Sequence, residues 1–194
     1  MPKDPPNILL IVTDQQQAAG MSCAGNPDVN TPVLDNLAEQ GVRFSNAYCT
    51  NPLCTPSRAS IFTGRMPHEI DTMGNGRKIN PNFRSLELGN LFKQAGYNCA
   101  YGGKWHVPEL SITEEHGFEK ICGFDDVRLP GACHEFLEKP RSNPFLLVAC
   151  FDNPHNICEH GRSDPLPWGA IDSAPQSEWP NLPPNFKSGP FEPE

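Results

Sequence analysis

The chain has 194 residues, of which 37% are hydrophobic and 20% charged, with a formal net charge of −8. That length supports one folded domain with a real core. The acidic balance argues against nucleic acid or an anionic membrane as partner, while an anionic substrate stays open to a local cluster of cations.

No stretch is long and apolar enough to span a bilayer. The start, Met1-Pro2-Lys3-Asp4-Pro5-Pro6, lacks the apolar core of a secretory signal; as given the chain is expected to be cytoplasmic, and the localisation of the protein stays open. Eight cysteines contain no Cys-x-x-Cys pair, which argues against a zinc site. A chain of this length does not need a disulfide scaffold, and Cys99 and Cys150, inside apolar runs, read as small buried hydrophobes.

In chain order, Asn7 to Val12 is a continuous apolar run rich in β-branched residues that ends in Thr13-Asp14-Gln15. It predicts a central strand buried on both faces. Thr31-Pro32 opens a helix that stops at Gly41, with Val33, Leu34, Leu37 and Ala38 as its apolar stripe. Val42 to Tyr48 reads as a short extended stretch. Thr55-Pro56 repeats the helix start, with Gly64 as the stop. A helix over Ser85 to Gln94 carries Leu86, Leu88, Leu91 and Phe92 and ends at Gly96. Tyr97 to Tyr101 predicts a second strand, ending in Gly102-Gly103-Lys104-Trp105-His106. Phe145 to Phe151 predicts a third, ending in Asp152-Asn153-Pro154-His155. Strands that alternate with helices and end in polar groups predict an α/β fold. From Asp152 onward the composition shifts, with nine of 43 residues Pro, so residues 152–194 are expected to be an irregular segment following an α/β domain over residues 1–151.

Four clusters carry chemistry. Cys54 lies at a helix entrance, where free N–H groups and the helix dipole favour a thiolate or a bound oxyanion, and Arg58 lies one turn on. A bare Cys there is ordinarily structural; Cys54-Thr55-Pro56-Ser57-Arg58 is more than a bare Cys. Asp14 and Gln15 put two oxygen donors at a strand end, which suits a hard cation such as Ca²⁺ or Mg²⁺, though Asp14 alone would serve equally as a turn cap. Open α/β sheets place their sites at such strand ends. Lys104 offers a point charge to an anion and His106 a proton acceptor near neutral pH. Pro154-His155 follows the third strand. His68, His116, His134 and His160 have no comparable context and read as surface or structural.

The run Cys54-x-Pro56-x-Arg58, continued by Ala59-Ser60-Ile61-Phe62-Thr63-Gly64-Arg65, resembles the mark by which type I sulfatases specify oxidation of a cysteine to formylglycine. Gly102 to His106 resembles the family's Gly-Lys-Trp-His segment, and Asp14 and Pro154-His155 follow in family order. The resemblance implies an alkaline phosphatase-like α/β fold, with a mixed, largely parallel sheet flanked by helices. It implies a sulfuric ester hydrolase acting on a small sulfated, or phosphorylated, ester. Its metal ligands would be Asp14, Gln15 and the group at Cys54, holding Ca²⁺ or else Mg²⁺ or Mn²⁺. Cys54, Arg58, Lys104, His106 and His155 would be catalytic, and a separate maturation enzyme would convert Cys54.

Family members are often periplasmic, secreted or lysosomal, and usually run well beyond this length, adding a strand whose Asp and His or Asn complete the metal shell, and a further Lys. The resemblance therefore covers an N-terminal part with its C-terminal part missing, and this chain alone is expected to bind metal weakly and turn over little. Gln15 stands where the family usually has Asp, and Asp-Gln also resembles the choline sulfatase and phosphonate monoester hydrolase branches. Two alternatives stay open: a phosphonate or phosphate ester hydrolase using the same formylglycine, and a truncated, non-catalytic domain that binds an anion or a partner. A thiol enzyme built on Cys54 is a more distant reading, since no Cys-His pair has matching context.

Overall fold

The computed structural model describes residues 5–109, 111–166 and 175–182. Its elements run β1 (Ile8–Asp14), α1 (Pro32–Gln40), α2 (Cys54–Thr63), α3 (Leu88–Gln94), β2 (Asn98–Gly103), β3 (Glu119–Cys122), α4 (Leu129–Glu138), β4 (Phe145–Pro154) and α5 (Ile157–Gly161), with short 3₁₀ turns between them. Two compact units result, residues 1–16 with 47–158, and residues 17–46 with 159–194. Much of the irregular tail expected from composition, residues 167–174 and 183–194, lies outside the described residues. Before it, β4 runs on to Pro154 and α5 follows.

The first unit is built on a four-stranded sheet in the order β1-β4-β2-β3, and every described pairing is parallel. β4 is one of two interior strands and shows it: Leu146 to Cys150 are buried without a break. Leu146, Val148 and Cys150 face one way, onto Ala59 and Phe62 of α2 and the aromatic group Tyr101, Trp105 and Phe118. Leu147 faces the other way, onto Ala100 and onto Phe136 of α4. Helices therefore cover both faces, as parallel sheets require. Ring contacts tie the larger core together: Phe62 lies 4.9 Å from Trp105, and Tyr101 lies 5.5 Å from Trp105 in a T-shaped pair.

Among the described residues the apolar run at the start of the chain forms an edge strand, not the central strand expected. β1 pairs with β4 alone among the described residues. Ile8, Leu10 and Val12 pack on the core, but Leu9 and Ile11 are 50% and 56% exposed. An apolar run has the same composition at an edge as at a centre, so only pairing separates the two. The stretch from Val42 to Tyr48 forms no strand and is exposed. The helix foreseen over Ser85 to Gln94 is split: a 3₁₀ turn spans Pro81–Leu86, and α3 begins after the buried Glu87.

In the second unit α1 starts at Pro32 as foreseen, yet Thr31 makes no capping bond. Its hydroxyl instead accepts from the amide of Ser22 at 3.0 Å, and Ser22 Oγ donates to Asp35 at 2.8 Å. No helix among the described residues is long and apolar enough to cross a membrane. All eight cysteines are free thiols.

Candidate functional site

Register decides where the site lies. Val12, Cys150 and Gly103 stand side by side across β1, β4 and β2. The chain therefore leaves all three strands at one end of the sheet, carrying Asp14, Asp152 and Lys104 with it. This is the carboxyl end, where open α/β sheets bind ligands.

α2 delivers the next two groups to the same place. Its first residue is Cys54 and its N-cap is Leu53, two positions earlier than a Thr55 cap followed by Pro56 would place them. The amide of Thr55 donates to Asn75 Oδ1 at 3.0 Å, which satisfies one of the donors that a helix start leaves open. Gly64 ends the helix at φ 65° with its amide on Ser60 O, a left-handed cap that glycine adopts without strain. Arg58 sits one turn in and is 3% exposed.

The resulting cluster is tight. Lys104 Nζ lies 2.5 Å from Asp14 Oδ2 and 2.7 Å from Asp152 Oδ1. Arg58 Nη2 lies 3.3 Å from Asp14 Oδ2, and its Nη1 donates to the carbonyl of Lys104 at 2.7 Å. The Tyr101 hydroxyl donates to that carbonyl too, also at 2.7 Å. Cys54 Sγ faces Asp14 Oδ1 at 3.9 Å. Thus Asp14, Cys54, Arg58 and Lys104, foreseen separately along the sequence, are brought together.

Electrostatics follow from these distances. Burial works to raise the Asp14 carboxyl, but the Lys104 hydrogen bond and the charges of Arg58, Lys104 and His155 outweigh it and hold the group below the usual value. Burial disfavours the Lys104 ammonium, and its two carboxylate partners more than restore it. Burial, with the Asp14 charge behind it, pushes the Cys54 thiol up, only partly offset by Lys104 and Arg58. The unmodified Cys54 is therefore a weakened thiolate former.

His106, Gln15 and His155 are placed differently. The His106 backbone has φ 57°, unusual for a residue with a Cβ, and its carbonyl accepts from Thr55 Oγ1 at 2.7 Å. Its Nδ1 is buried and makes no hydrogen bond among the described residues. Burial and the neighbouring Lys104 and Arg58 lower its pKa. Gln15 also has a positive φ, 63°, and its side-chain amide exchanges contacts with Cys158, Nε2 to Sγ at 3.3 Å and Sγ to Oε1 at 3.4 Å. His155 Nδ1 lies 4.0 Å from Asp152 Oδ1.

As a cation site the described donors are few. Asp14 Oδ2 is engaged by Lys104 and Arg58, which leaves Oδ1, and Gln15 Oε1 is turned to Cys158. A hard cation that takes six to eight oxygens is not enclosed by this set.

Two groups escaped the sequence reading, and a third, His116, reads there as surface or structural. Asp152 lies in what reads as an ordinary turn. Tyr101 reads as a core aromatic. His116 is indeed structural: it is 3% exposed, pairs through Nδ1 with buried Glu87 at 2.5 Å, and its ring centroid lies 4.5 Å from Trp105. The apolar run before Asp152 was the one available signal, because it fixes which turn ends beside Lys104.

Comparison with known proteins agrees with this geometry. Residues 6–168 match the Sulfatase family. An ulvan-active sulfatase of Formosa agariphila is 32% identical over 91% of this chain. A Delta 4,5-hexuronate-2-O-sulfatase of Bacteroides thetaiotaomicron is 31% identical over 93% of it. The solved structure of a 2-O GAG sulfatase superposes with a TM-score of 0.73 at 30% identity, covering 94% of this chain and 42% of that one. The chain spans 36% and 43% of the lengths of the two relatives. Matched over most of its length in both sequence and fold, with its sheet ending in the Asp14, Cys54, Arg58 and Lys104 cluster, the chain belongs to the sulfatase family.

Proposed function

We propose that the protein hydrolyses a sulfate ester of a carbohydrate, with Cys54 as the precursor of the nucleophile. One observation carries the reading: Arg58 and Lys104, two buried cations from α2 and the end of β2, converge on Asp14 beside Cys54 Sγ. Such a pair suits a tetrahedral oxyanion. The substrate class follows the relatives, whose names specify ulvan and a hexuronate 2-O-sulfate.

Formylglycine at position 54, made by a maturation enzyme that reads Cys54-x-Pro56-x-Arg58, would supply a hydroxyl nucleophile that the raised thiol does not. The other roles belong to the residues of this chain. Lys104 holds the sulfate oxygens. Arg58 fixes the Lys104 carbonyl and steadies the negative charge at Asp14. His106, kept neutral by burial and the adjacent cations, accepts a proton. His155, next to Asp152, donates one to the leaving oxygen. A divalent cation, with Ca²⁺ expected ahead of Mg²⁺ or Mn²⁺, would take Asp14, Gln15 and the group at 54. These donors alone fall short of a full shell for such a cation.

The test is a parallel assay of an aryl sulfate and a phosphonate monoester with the full-length product of the gene, produced with a maturation enzyme, in wild-type and Cys54→Ala forms. Sulfate ester turnover that Cys54→Ala abolishes is expected. Turnover unaffected by that substitution, or turnover of the phosphonate alone, would overturn the reading.

A further inference from the structure

The parallel ladder between β1 and β4 breaks where the site begins. Val12 pairs with Cys150, and the next pairing is Asp14 with Pro154, so two steps of β1 pass four of β4. β4 therefore bulges over residues 151–153, and bulges next to a site re-aim side chains. A bulge also takes amides out of the ladder, and a buried amide needs another acceptor.

Asp126 provides it. From the turn after β3, its Oδ1 accepts from the amide of Asp152 at 2.9 Å, and its Oδ2 accepts from the amide and side chain of Asn153 at 2.8 Å and 3.0 Å. Three donors thus converge on one carboxylate, a strong arrangement for holding backbone in place. What it holds is the residue that anchors Lys104: Asp152 is 6% exposed, its Oδ1 lies 2.7 Å from Lys104 Nζ, and the same oxygen is 4.0 Å from His155 Nδ1.

We propose that Asp126 and Asp152 are positioning residues, Asp126 clamping the β4 bulge so that Asp152 can seat Lys104 and orient His155 for the sulfate-ester chemistry. This role rests on the functional reading above. Lys104 has a second partner in Asp14, at 2.5 Å. A lysine tied to Asp14 alone would follow that carboxylate whenever Asp14 took another partner. Asp152, on a different strand and pinned by Asp126, gives Lys104 an anchor independent of Asp14. Asp152 acts through Lys104 and His155, and Asp126 through the backbone amides it clamps.

The experiment compares wild type, Asp126→Asn, Asp152→Asn and Asp152→Glu in the full-length gene product. An Asn at 126 would present an amide donor where Asp126 accepts. Amide hydrogen exchange of peptides covering 150–154 is expected to quicken in Asp126→Asn, and acetylation of Lys104, read by mass spectrometry, to rise in Asp126→Asn and Asp152→Asn. The kcat/KM for an aryl sulfate should fall about 10–100-fold in both, mainly in kcat, as a misplacement on the order of 1 Å would cause. Asp152→Glu should recover part of it.

Variants that melt earlier but keep wild-type kcat/KM and Lys104 labelling would overturn the proposal, since a merely structural carboxylate predicts that result. If wild type hydrolyses no sulfate ester, the functional reading fails by itself. Labelling and exchange then decide the positioning: raised values uphold it and unchanged values overturn it. Should Asp126→Asn fail to fold, Asp152→Asn carries the same comparison.

Discussion

The Lys104 ammonium lies 2.5 Å from Oδ2 of Asp14, an ion pair between side chains 3% and 12% exposed at the ends of two strands that are not neighbours in the sheet. Breaking such a pair has a defined pH signature. The Asp14 carboxyl is held below its ordinary 3.8: burial alone would raise it, and Lys104 and Arg58 overcome that. Its contribution to stability is therefore complete above 3.8 and is lost as pH falls through the lower folded value. Asp14→Asn should cost about 1.5–3 kcal/mol at neutral pH, the range for a hydrogen bond to a charged group. Denaturant unfolding at neutral pH and again well below 3.8 checks this. The deficit should shrink in acid, and a deficit that stays constant would contradict the assignment.

His106 offers a second pH test. Burial first, then Lys104 and Arg58, lower its pKa from 6.5. A lowered value keeps the imidazole neutral further into acid, so a base at this position loses activity only below 6.5. The acid limb of kcat/KM against pH should have its midpoint under 6.5 and should vanish in His106→Gln. A midpoint above 6.5 would remove His106 from that role.

The thiols should separate by reactivity. Cys49 is exposed. Burial and Asp14 raise the Cys54 thiol, and burial pushes Cys99 up to about 11. In protein produced without a maturation enzyme, iodoacetamide at mildly alkaline pH should label Cys49 first, with Cys54 and Cys99 lagging. Preferential labelling of Cys54 would revive a thiol enzyme.

Two glycines with positive φ make a matched pair. A Cβ added at Gly64, where φ is 65°, would meet nothing within 4 Å, whereas a Cβ added at Gly103, where φ is 89°, would collide with the Cys150 carbonyl oxygen. Gly64→Ala should cost about 1 kcal/mol, from backbone conformation alone. Gly103→Ala adds a collision between β2 and β4 and should cost more than about 3 kcal/mol. Thermal melts of the two variants decide it. Equal losses would mean that β2 does not approach β4 as closely as the ladder requires.

Much of the sheet was legible because its buried strands are continuous apolar runs. Phe145 to Phe151 announced β4, and Tyr97 to Tyr101 announced most of β2. β3 did not show, since Glu119-Lys120-Ile121-Cys122 has two charges in four residues and takes its strand character from pairing with β2. α4 opens Leu129-Pro130-Gly131, which reads as a turn until Phe136 is seen packing on Leu147. At the site, Asp14, Cys54, Arg58 and Lys104 were legible because each sits beside a strand end or helix start. Asp126 and Asp152 were not, because their partners are bulge amides and a lysine 48 residues away, which depend on register and not on local pattern.

The burial of α2 also sets an order of events. Pro56 and Arg58, the two side chains that distinguish the Cys54 run from any other cysteine, are both buried once the helix is packed, and Arg58 is locked onto Asp14 and the Lys104 carbonyl. A maturation enzyme that identifies its target by those side chains can inspect them only while the polypeptide is still open. Under the proposed conversion of Cys54, recognition and folding would compete for the same residues, and the share of molecules carrying an altered Cys54 would record which process reached α2 first.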